Sequence, residues 1–382
     1  MPRKIRVAHV MNSFGLGGVP VVVYNLLKEL PRERYKCYLY CLKKKSDYLE
    51  IREEQRKQFR RMSVKVSFPE GSERKFDVIG DLCRWLSHHK IEILHTHSYR
   101  PNIYGRIAGV LFKDTKIVAH YHNHYDDMLK KDNSYIFEQQ LDLFSDRLIA
   151  CSNSVSEHVV KTMGVSQEKI DVIQNGVDLD PFQTRYLPEN VKKELQIPYG
   201  SKVVGMVGRI CEQKAQDDFI RAAAIIQKSF PDTVFLIVGQ ADDDCFLQRL
   251  KALIRDLGID RAVRFVGYQP NIPLVFSALD VFVLPSRWEG LPLILVEAMA
   301  AGKSIVATNI GPNSEAVSDD TALLVPPSSP DSIASKVIYL LNNPERSKDM
   351  GLRGKERAKL FSWKQAALQL DSLYQKLLEE GV

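Results

Sequence analysis

Thirteen short apolar runs, each followed by a stretch long enough for a helix, constrain the fold of this chain more than any single motif. In the first half they are Ile5–Met11, Lys36–Leu42, Val64–Phe68, Ile91–Thr96, Lys116–Tyr121, Arg147–Cys151 and Lys169–Ile173. In the second they are Lys202–Val207, Thr233–Gly239, Val263–Val266, Val281–Leu284, Ser304–Ala307 and Ala322–Val325. A strand with one wet face alternates apolar and polar residues, whereas most of these runs are apolar throughout and need cover on both faces. Strands of that kind separated by helices make parallel sheets, so the expected class is α/β. At 382 residues the chain exceeds one typical domain. Weaker periodicity with Pro181, Pro188, Pro198 and Gly200 marks 179–201 as a linker between domains 1–178 and 202–361. A helical tail spans 362–382. The simplest architecture is two Rossmann-like, doubly wound domains facing a central cleft, with ligands at the carboxyl ends of the strands.

Composition narrows the class. Apolar residues make up 45% and charged residues 26%, as in ordinary globular proteins. No apolar run is long enough to cross a bilayer, and M-P-R-K-I-R-V-A-H-V lacks a signal-peptide core. The six cysteines at 37, 41, 83, 151, 211 and 245 form no C-x-x-C pair, so reduced thiols in the cytoplasm are expected and zinc is not. The net charge of +6 lies in the first 178 residues, where 29 Lys and Arg oppose 22 Asp and Glu. Much of this excess falls between Lys43 and Lys65 among Tyr48, Ile51 and Phe59. Such a stretch suits either a solvated helix neutralised by Glu50, Glu53 and Glu54 or peripheral contact with an anionic membrane. No nucleic-acid motif accompanies it.

The segment S-R-W-E-G-L-P-L-I-L-V-E-A-M-A-A-G at 286–302 follows the run Val281–Leu284 and reads as loop then helix. Its Gly290 and Pro292 open the helix and Gly302 closes it. The unpaired N–H groups expected of Gly290, Leu291 and Leu293 can hold a phosphate, since Pro292 has none to give. Glu289 in the loop and Glu297 about two turns into the helix then face the hydroxyl-rich ends of a nucleotide sugar. Arg209 and Lys214 follow another strand end, in V-G-M-V-G-R-I-C-E-Q-K-A, where two fixed cations neutralise a diphosphate as a metal does elsewhere.

The first strand leads into M-N-S-F-G-L-G-G-V-P, a glycine loop with Gly15, Gly17 and Gly18. It is not the dinucleotide fingerprint, because Pro20 stands where the third glycine belongs. Histidines gather in I-V-A-H-Y-H-N-H-Y, with His120 and His122 on one side of a strand and His95 and His97 ending its neighbour. A metal would need Asp126 or Asp127 to fold back, so a sugar-contacting imidazole is the expected role. Asp242, Asp243 and Asp244 match D-x-D, yet acids before a helix suit its N-terminal dipole, and no metal is expected there.

Eight stretches together, in order along nearly the whole chain, resemble the retaining GT4 glycosyltransferases of GT-B fold. They are G-L-G-G at 15–18, H-N at 122–123, I-A-C-S-N-S-V at 149–155, I-Q-N-G-V-D at 173–178, V-G-R-x-x-E-Q-K at 207–214, V-R-F-V-G-Y at 263–268, D-V-F-V-L-P-S at 280–286 and E-G-L-P-L-I-L-V-E-A-M-A-A-G at 289–302. The resemblance implies that the first domain binds acceptor, the second binds donor, and the final helix crosses back to the first. It implies that Gly17 and Gly18 approach the donor's phosphate and sugar, and that His122 lies at the reacting sugar. Arg209 and Lys214 would hold the diphosphate, and the backbone of Val266, Gly267 and Tyr268 would read the base. Glu289 would meet sugar hydroxyls, the N–H groups of Gly290, Leu291 and Leu293 phosphate, and Glu297 ribose. The A-H-Y-H-N stretch resembles capsule and exopolysaccharide enzymes. Two departures stand out: Ala215 replaces the family's glycine after the lysine, and Pro20 replaces a small or acidic residue.

The implied reaction moves a hexose or N-acetylhexosamine from a nucleoside-diphosphate sugar, UDP before GDP, to an acceptor hydroxyl on a glycan, lipid-linked carrier or small molecule. Anomeric configuration is kept and no metal or other cofactor takes part. No carboxylate stands out as a covalent nucleophile. Two alternatives share the fold, a nucleotide-sugar 2-epimerase and a non-catalytic partner subunit. The expected location is cytoplasmic, with peripheral contact at the inner membrane face through Lys43–Lys65.

Overall fold

The computed structural model describes residues 3–15, 17–43, 49–70, 74–112, 114–124, 135–184 and 186–379. The chain divides into two compact units, one of residues 1–176 with 363–382 and one of residues 177–362.

The first unit carries seven strands: β1 (Ile5–Met11), β2 (Tyr35–Cys41), β3 (Lys65–Ser67), β4 (Ile93–His97), β5 (Lys116–Tyr121), β6 (Arg147–Ala150) and β7 (Ile170–Val172). All pair in parallel in the order β3-β2-β1-β4-β5-β6-β7. The second unit carries β8 (Val203–Val207), β9 (Val234–Val238), β10 (Val263–Gly267), β11 (Val281–Leu284), β12 (Ser304–Thr308) and β13 (Leu323–Val325). Their parallel order is β10-β9-β8-β11-β12-β13. All thirteen strands expected from the apolar runs form, with boundaries within two residues.

The reason is burial on both faces. Every residue of β8, β9, β11 and β12 is buried. Each large aliphatic side chain so buried contributes about 1.5–3 kcal/mol relative to exposure. In the first unit the helix Lys75–His89 covers the sheet with Val78, Ile79, Leu82 and Leu86, which pack on Ala8, Val10, Tyr38, Tyr40 and Leu94. In the second, the helix Gln216–Ser229 lays Phe219, Ile220, Ala223 and Ile226 on Val204, Met206, Phe235 and Ile237.

The stretch 179–201, expected as a linker, contains a 3-10 turn at Asp180–Gln183 and a helix at Pro188–Glu194. That helix buries Val191 and packs on the helix Ile272–Ala278, which places these residues with the second unit. The final helix, Trp363–Glu379, belongs to the first unit and packs on the helix Gly18–Glu29. Its Tyr374, Leu370 and Leu373 are buried, and Asp371 accepts from Tyr35 Oη at 2.6 Å.

Strand order reverses direction between β1 and β4 in the first unit, and between β8 and β11 in the second. At such a point adjacent loops diverge to opposite faces and leave a crevice at the carboxyl ends. The glycine loop follows β1 and His97 ends β4; Arg209 and Glu289 follow β8 and β11. Among the described residues no helix is long and apolar enough to cross a membrane. No disulfide joins any of the six cysteines.

Candidate active site

In the second unit three loops meet by backbone. Gly208 N donates to Val238 O at 2.9 Å, Gly239 N to Gly267 O at 2.9 Å, and Ile210 N to Gln240 O at 2.8 Å. A Cβ added to Gly239 would lie 1.9 Å from Gly208 O, so only glycine lets these turns touch. From this platform Arg209 enters the loop, followed by a single 3-10 turn at Glu212–Lys214.

Lys214 Nζ lies 2.5 Å from Glu289 Oε1, with the two side chains 12% and 6% exposed. Ser286 Oγ donates to the same carboxylate oxygen at 2.6 Å, and Gln213 Nε2 reaches the other at 3.4 Å. Gln213 also donates to Trp288 O at 2.9 Å and accepts from Arg209 at 3.3 Å. The Arg209 guanidinium pairs with Asp242 and remains one-third exposed. Arg209, Lys214 and Glu289 therefore form one connected network through Gln213. Each cation faces a carboxylate of the chain itself, and Glu289 has both oxygens engaged.

A second layer fixes the first. Arg287 donates to Asp217 at 2.7 Å, Asp218 at 3.3 Å and Glu212 O at 2.7 Å, tying the Glu289 loop to the Arg209 loop. Thr308 Oγ1 donates to Ser286 O at 2.6 Å, and Asn313 Nδ2 donates to Thr308 O at 2.9 Å. Sequence reasoning overlooked Gln213, Ser286, Arg287 and Asp242 in these roles. The E-Q-K triplet placed Gln213 beside Lys214, which was the available signal.

The helix expected after Gly290 begins at Leu293, with Pro292 as its cap, no side-chain cap and no acid in its first turn. Such a terminus keeps backbone donors for an anion. Leu291 is buried beside it. Glu297 stands in the second turn and is half-buried. Burial pushes its carboxyl up to about 7. Among the described residues, no side chain bonds its carboxylate.

Val266 and Gly267 end the edge strand β10, where Gly267 has φ of 75° after a break in register, and Tyr268 follows, 40% exposed. Val266 O accepts from Gln269 Nε2 at 3.3 Å. Of the three aspartates, Asp243 caps the helix Asp244–Asp256 by accepting from Cys245 N and Phe246 N, both at 3.1 Å. Asp242 instead serves Arg209. Ala215 is buried in the left-handed region, at φ 52° and ψ 48°, so the departure from glycine acts on the backbone rather than by crowding a phosphate.

In the first unit Gly17 caps the helix Gly18–Glu29 at φ 133° and ψ 167°. A Cβ there would meet nothing within 4 Å, so conformation alone calls for glycine. Gly15 N and O are both bonded to the Gln55 amide, at 3.0 and 3.1 Å, from the basic helix Leu49–Arg61. That helix buries Phe59 and pairs Arg56 with Glu53, and Lys57 and Arg61 with Glu54. Residues 44–48 of the basic stretch, and Asp126 and Asp127, lie outside the described residues.

His122 follows β5 and is half-buried, with His97 Nδ1 at 3.0 Å from its Nε2. His95 and His97, gathered in the sequence with the histidines expected to contact sugar, are both fully buried, as are His9 and His120. The register explains this, because His9 pairs with His95 and His97 with His120, placing all on one face of the sheet. Burial holds every one of these rings below its usual protonation range, His9 and His122 at about 3. Among the described residues, the groups that bring three possible metal ligands together are His9, His95 and His97, and His97, His120 and His122. His9 carried no signal in the sequence, being one polar residue in an apolar run.

Known proteins share both halves. Residues 16–181 match the family described as Glycosyltransferase Family 4, and residues 188–357 match Glycosyl transferases group 1. The UDP-Gal:alpha-D-GlcNAc-diphosphoundecaprenol alpha-1,3-galactosyltransferase of Escherichia coli is 32% identical over 81% of each chain. A D-inositol 3-phosphate glycosyltransferase of Corynebacterium aurimucosum is 32% identical over 74% of this chain and 71% of its own. In three dimensions, Anabaena Alr3699/HepE in complex with UDP-glucose superposes with a TM-score of 0.85 at 19% identity, over 97% of this chain and 100% of the other, which establishes the GT-B fold. Together, the two matched halves and the alignment along most of a galactosyltransferase establish that this chain belongs to the family 4 glycosyltransferases.

Proposed function

We propose that the chain transfers a hexose or N-acetylhexosamine from a UDP-linked donor to an acceptor hydroxyl, retaining the anomeric configuration and using no divalent cation at the phosphates. The observation that carries this reading is the network Arg209–Gln213–Glu289–Lys214 at the switch point of the second unit. Two cations held by a fixed frame stabilise the negative charge that develops on a departing diphosphate. Arg209 is paired with Asp242. A diphosphate replaces that carboxylate and takes its hydrogen bonds.

The bond from the sugar's anomeric carbon to the phosphate oxygen breaks, and one from the same carbon to the acceptor oxygen forms on the same face. The departing phosphate oxygen accepts the proton of the incoming hydroxyl. The protein supplies position and charge rather than a covalent intermediate. Glu289, held by Lys214 and Ser286, presents its remaining lone pairs to sugar hydroxyls. Glu297, ionised, accepts from the ribose. The first-turn N–H groups after Pro292 meet phosphate, and the edge backbone at Val266–Tyr268 meets the base.

The name of the Escherichia coli relative, which specifies a GlcNAc-diphosphoundecaprenol substrate, supports a glycan or lipid-linked acceptor here. The basic helix Leu49–Arg61 supports peripheral contact with an anionic bilayer, and six cysteines without a disulfide support a reducing cytoplasm. Sedimentation with anionic vesicles at low and high salt tests the membrane contact; protein that stays in the supernatant at both salts overturns it.

A panel of nucleotide sugars, read by thermal stabilisation and by slow hydrolysis with EDTA present, tests the donor. UDP sugars should stabilise the protein, and Arg209→Ala should lower turnover about 100- to 1000-fold while leaving the fold intact. Full turnover by folded Arg209→Ala overturns the role given to that cation, and loss of wild-type turnover in EDTA overturns the metal-free scheme. Formation of an epimer from donor alone would favour the epimerase instead.

A further inference from the structure

The amino ends of three neighbouring strands of the second unit border a cavity of about 320 Å³. Lys202 stands before β8, Asp280 before β11 and Lys303 before β12, and all three line it. Arg209 and Glu289 lie beyond the opposite, carboxyl ends of β8 and β11. The length of β11, four residues or about 13 Å at the rise of a strand, therefore stands between this cavity and the donor site. The volume falls at the lower end of the range of small-molecule pockets, roughly 300–1,000 Å³. Leu340, Leu341 and Pro344 give the cavity an apolar side.

Its charge is lopsided. Lys192 Nζ lies 3.4 Å from Asp280 Oδ2 and Lys202 Nζ lies 3.8 Å from Asp280 Oδ1, so one carboxylate answers two ammonium groups. Val203 N also donates to that carboxylate, at 2.8 Å. Lys303 brings a third ammonium and is half-buried; among the described residues its three protons meet one acceptor, Leu279 O at 3.0 Å. Lys348, exposed on the helix Pro344–Ala358, lines the cavity as a fourth. Among the described residues no acid besides Asp280 lines it. Burial, opposed by Asp280 and reinforced by Lys192, pushes the Lys303 amine down to about 8. Cations gathered in this excess repel one another, and a ligand that brings several negative charges relieves them.

We propose that this cavity is a second anion site, which binds a phosphate group, free or as the monoester of a small polar molecule, apart from the nucleotide-sugar donor. A phosphate dianion carries two charges and presents acceptor oxygens in several directions. That matches ammonium protons arriving from two helices, through Lys192 and Lys348, and from two strand ends, through Lys202 and Lys303. The helix Pro344–Ala358 also turns its amino end to this space, where Pro344 and Ser347 line the cavity and the cap residue Asn343 gives the first turn no side-chain bond. Its dipole adds to the attraction of the lysines. Ser347 Oγ donates to Ser304 Oγ at 2.8 Å, and Ser304 Oγ to Asp280 O at 3.1 Å, which spends both hydroxyl protons within the wall. Recognition therefore falls to the lysines, with Lys303 anchored by Leu279 as the fixed member. The site stands whether or not the chain transfers sugar.

Calorimetric titration of the full chain with inorganic phosphate and with glucose 1-phosphate, at constant ionic strength and with UDP in excess, tests the site. The wild type should bind one equivalent of at least one of them, and folded Arg209→Ala should bind it equally well. Lys303→Gln should weaken binding about tenfold or more, as expected for losing a charge-assisted hydrogen bond. Lys348→Gln, a change at an exposed position, should weaken it severalfold. Tighter binding of glucose 1-phosphate assigns the site to a monoester whose body meets Leu341 and Pro344; equal or weaker binding assigns it to the free ion. No binding of either overturns the proposal. So does binding that is lost in Arg209→Ala and unchanged in both lysine variants, which places the anion at the donor site. Should Lys303→Gln fail to fold, Lys348→Gln and Lys202→Gln decide in its place. Failure of sugar transfer would leave this result standing, and a cavity that binds no anion would leave the donor site untouched.

Discussion

The two units share a sheet topology and place polar residues at the same point in it, yet they solve the cost of polarity in opposite ways. In the second unit Lys214 and Arg209 are each paired with a carboxylate, of Glu289 and Asp242. In the first, burial opposes charge on five histidines, and four of them, His9, His95, His97 and His122, bond to another imidazole or to Tyr374. Ionic groups kept in pairs suit a ligand that brings its own charge and displaces a partner.

Acid is the strongest way to break this contrast. The histidines of the first unit have folded-state values far below the usual 6.5, so the unfolded chain binds more protons as pH falls beneath 6.5. Their neutral burial contributes no penalty above that value, and stability is lost progressively on the way down toward 3. For His9 alone the loss is about 1.4 kcal/mol per pH unit in that window. Hydrogen exchange at pH 5 should therefore report opening of β1, β4 and β5 while β8 and β11 remain protected. Equal protection of both sheets at pH 5 would remove the distinction.

Glu297 sharpens the contrast from the other side, because it opposes the histidines in sign. Burial raises its carboxyl from 4.5 to about 7, so the stability tied to its protonation is whole below 4.5 and is lost as pH rises through about 7. Glu297→Gln should raise the unfolding temperature of the second unit at pH 8 and leave it unchanged at pH 4.5. The same change should weaken UDP binding about tenfold at pH 8, as expected for losing hydrogen bonds to a charged acceptor. Calorimetry showing the same destabilisation at both pH values would contradict the burial account.

The smallest effect concerns Ala215. A residue with a Cβ in the left-handed region costs about 1–2 kcal/mol, part of which glycine returns to the unfolded state as freedom. Ala215→Gly should thus stabilise the protein by up to about 1 kcal/mol and leave turnover unchanged. Denaturant unfolding measures this, and a lower midpoint with an unchanged slope would argue against strain.

The pattern of strands was legible because apolar runs such as V-F-L-I-V at 234–238 have no other stable use in water. Arg209, Lys214 and Glu289 stood out because charged residues in the loops after strand ends need a reason. What stayed hidden was neutral or distant. Gln213 and Ser286 look like ordinary loop residues until the fold aims them at Glu289. Pairings such as His95 with Tyr374, 279 positions apart, leave no trace in either local pattern. The stretch 179–201 hid its helix because its prolines punctuate a short element that begins at Pro188. Asp242 was read as a helix-end acid; the cap is its neighbour Asp243, and the fold turns Asp242 onto Arg209.

The final helix has a consequence for how the molecule is made. A ribosome completes every residue of the second unit before it reaches Trp363, yet the first unit lacks the side chains that close over His9 and His95 until then. The N-terminal sheet therefore waits, with its histidines uncapped, through the synthesis of 186 intervening residues. Nascent chains stalled short of Tyr374 should expose that sheet to chaperones and proteases while their middle portion is already native.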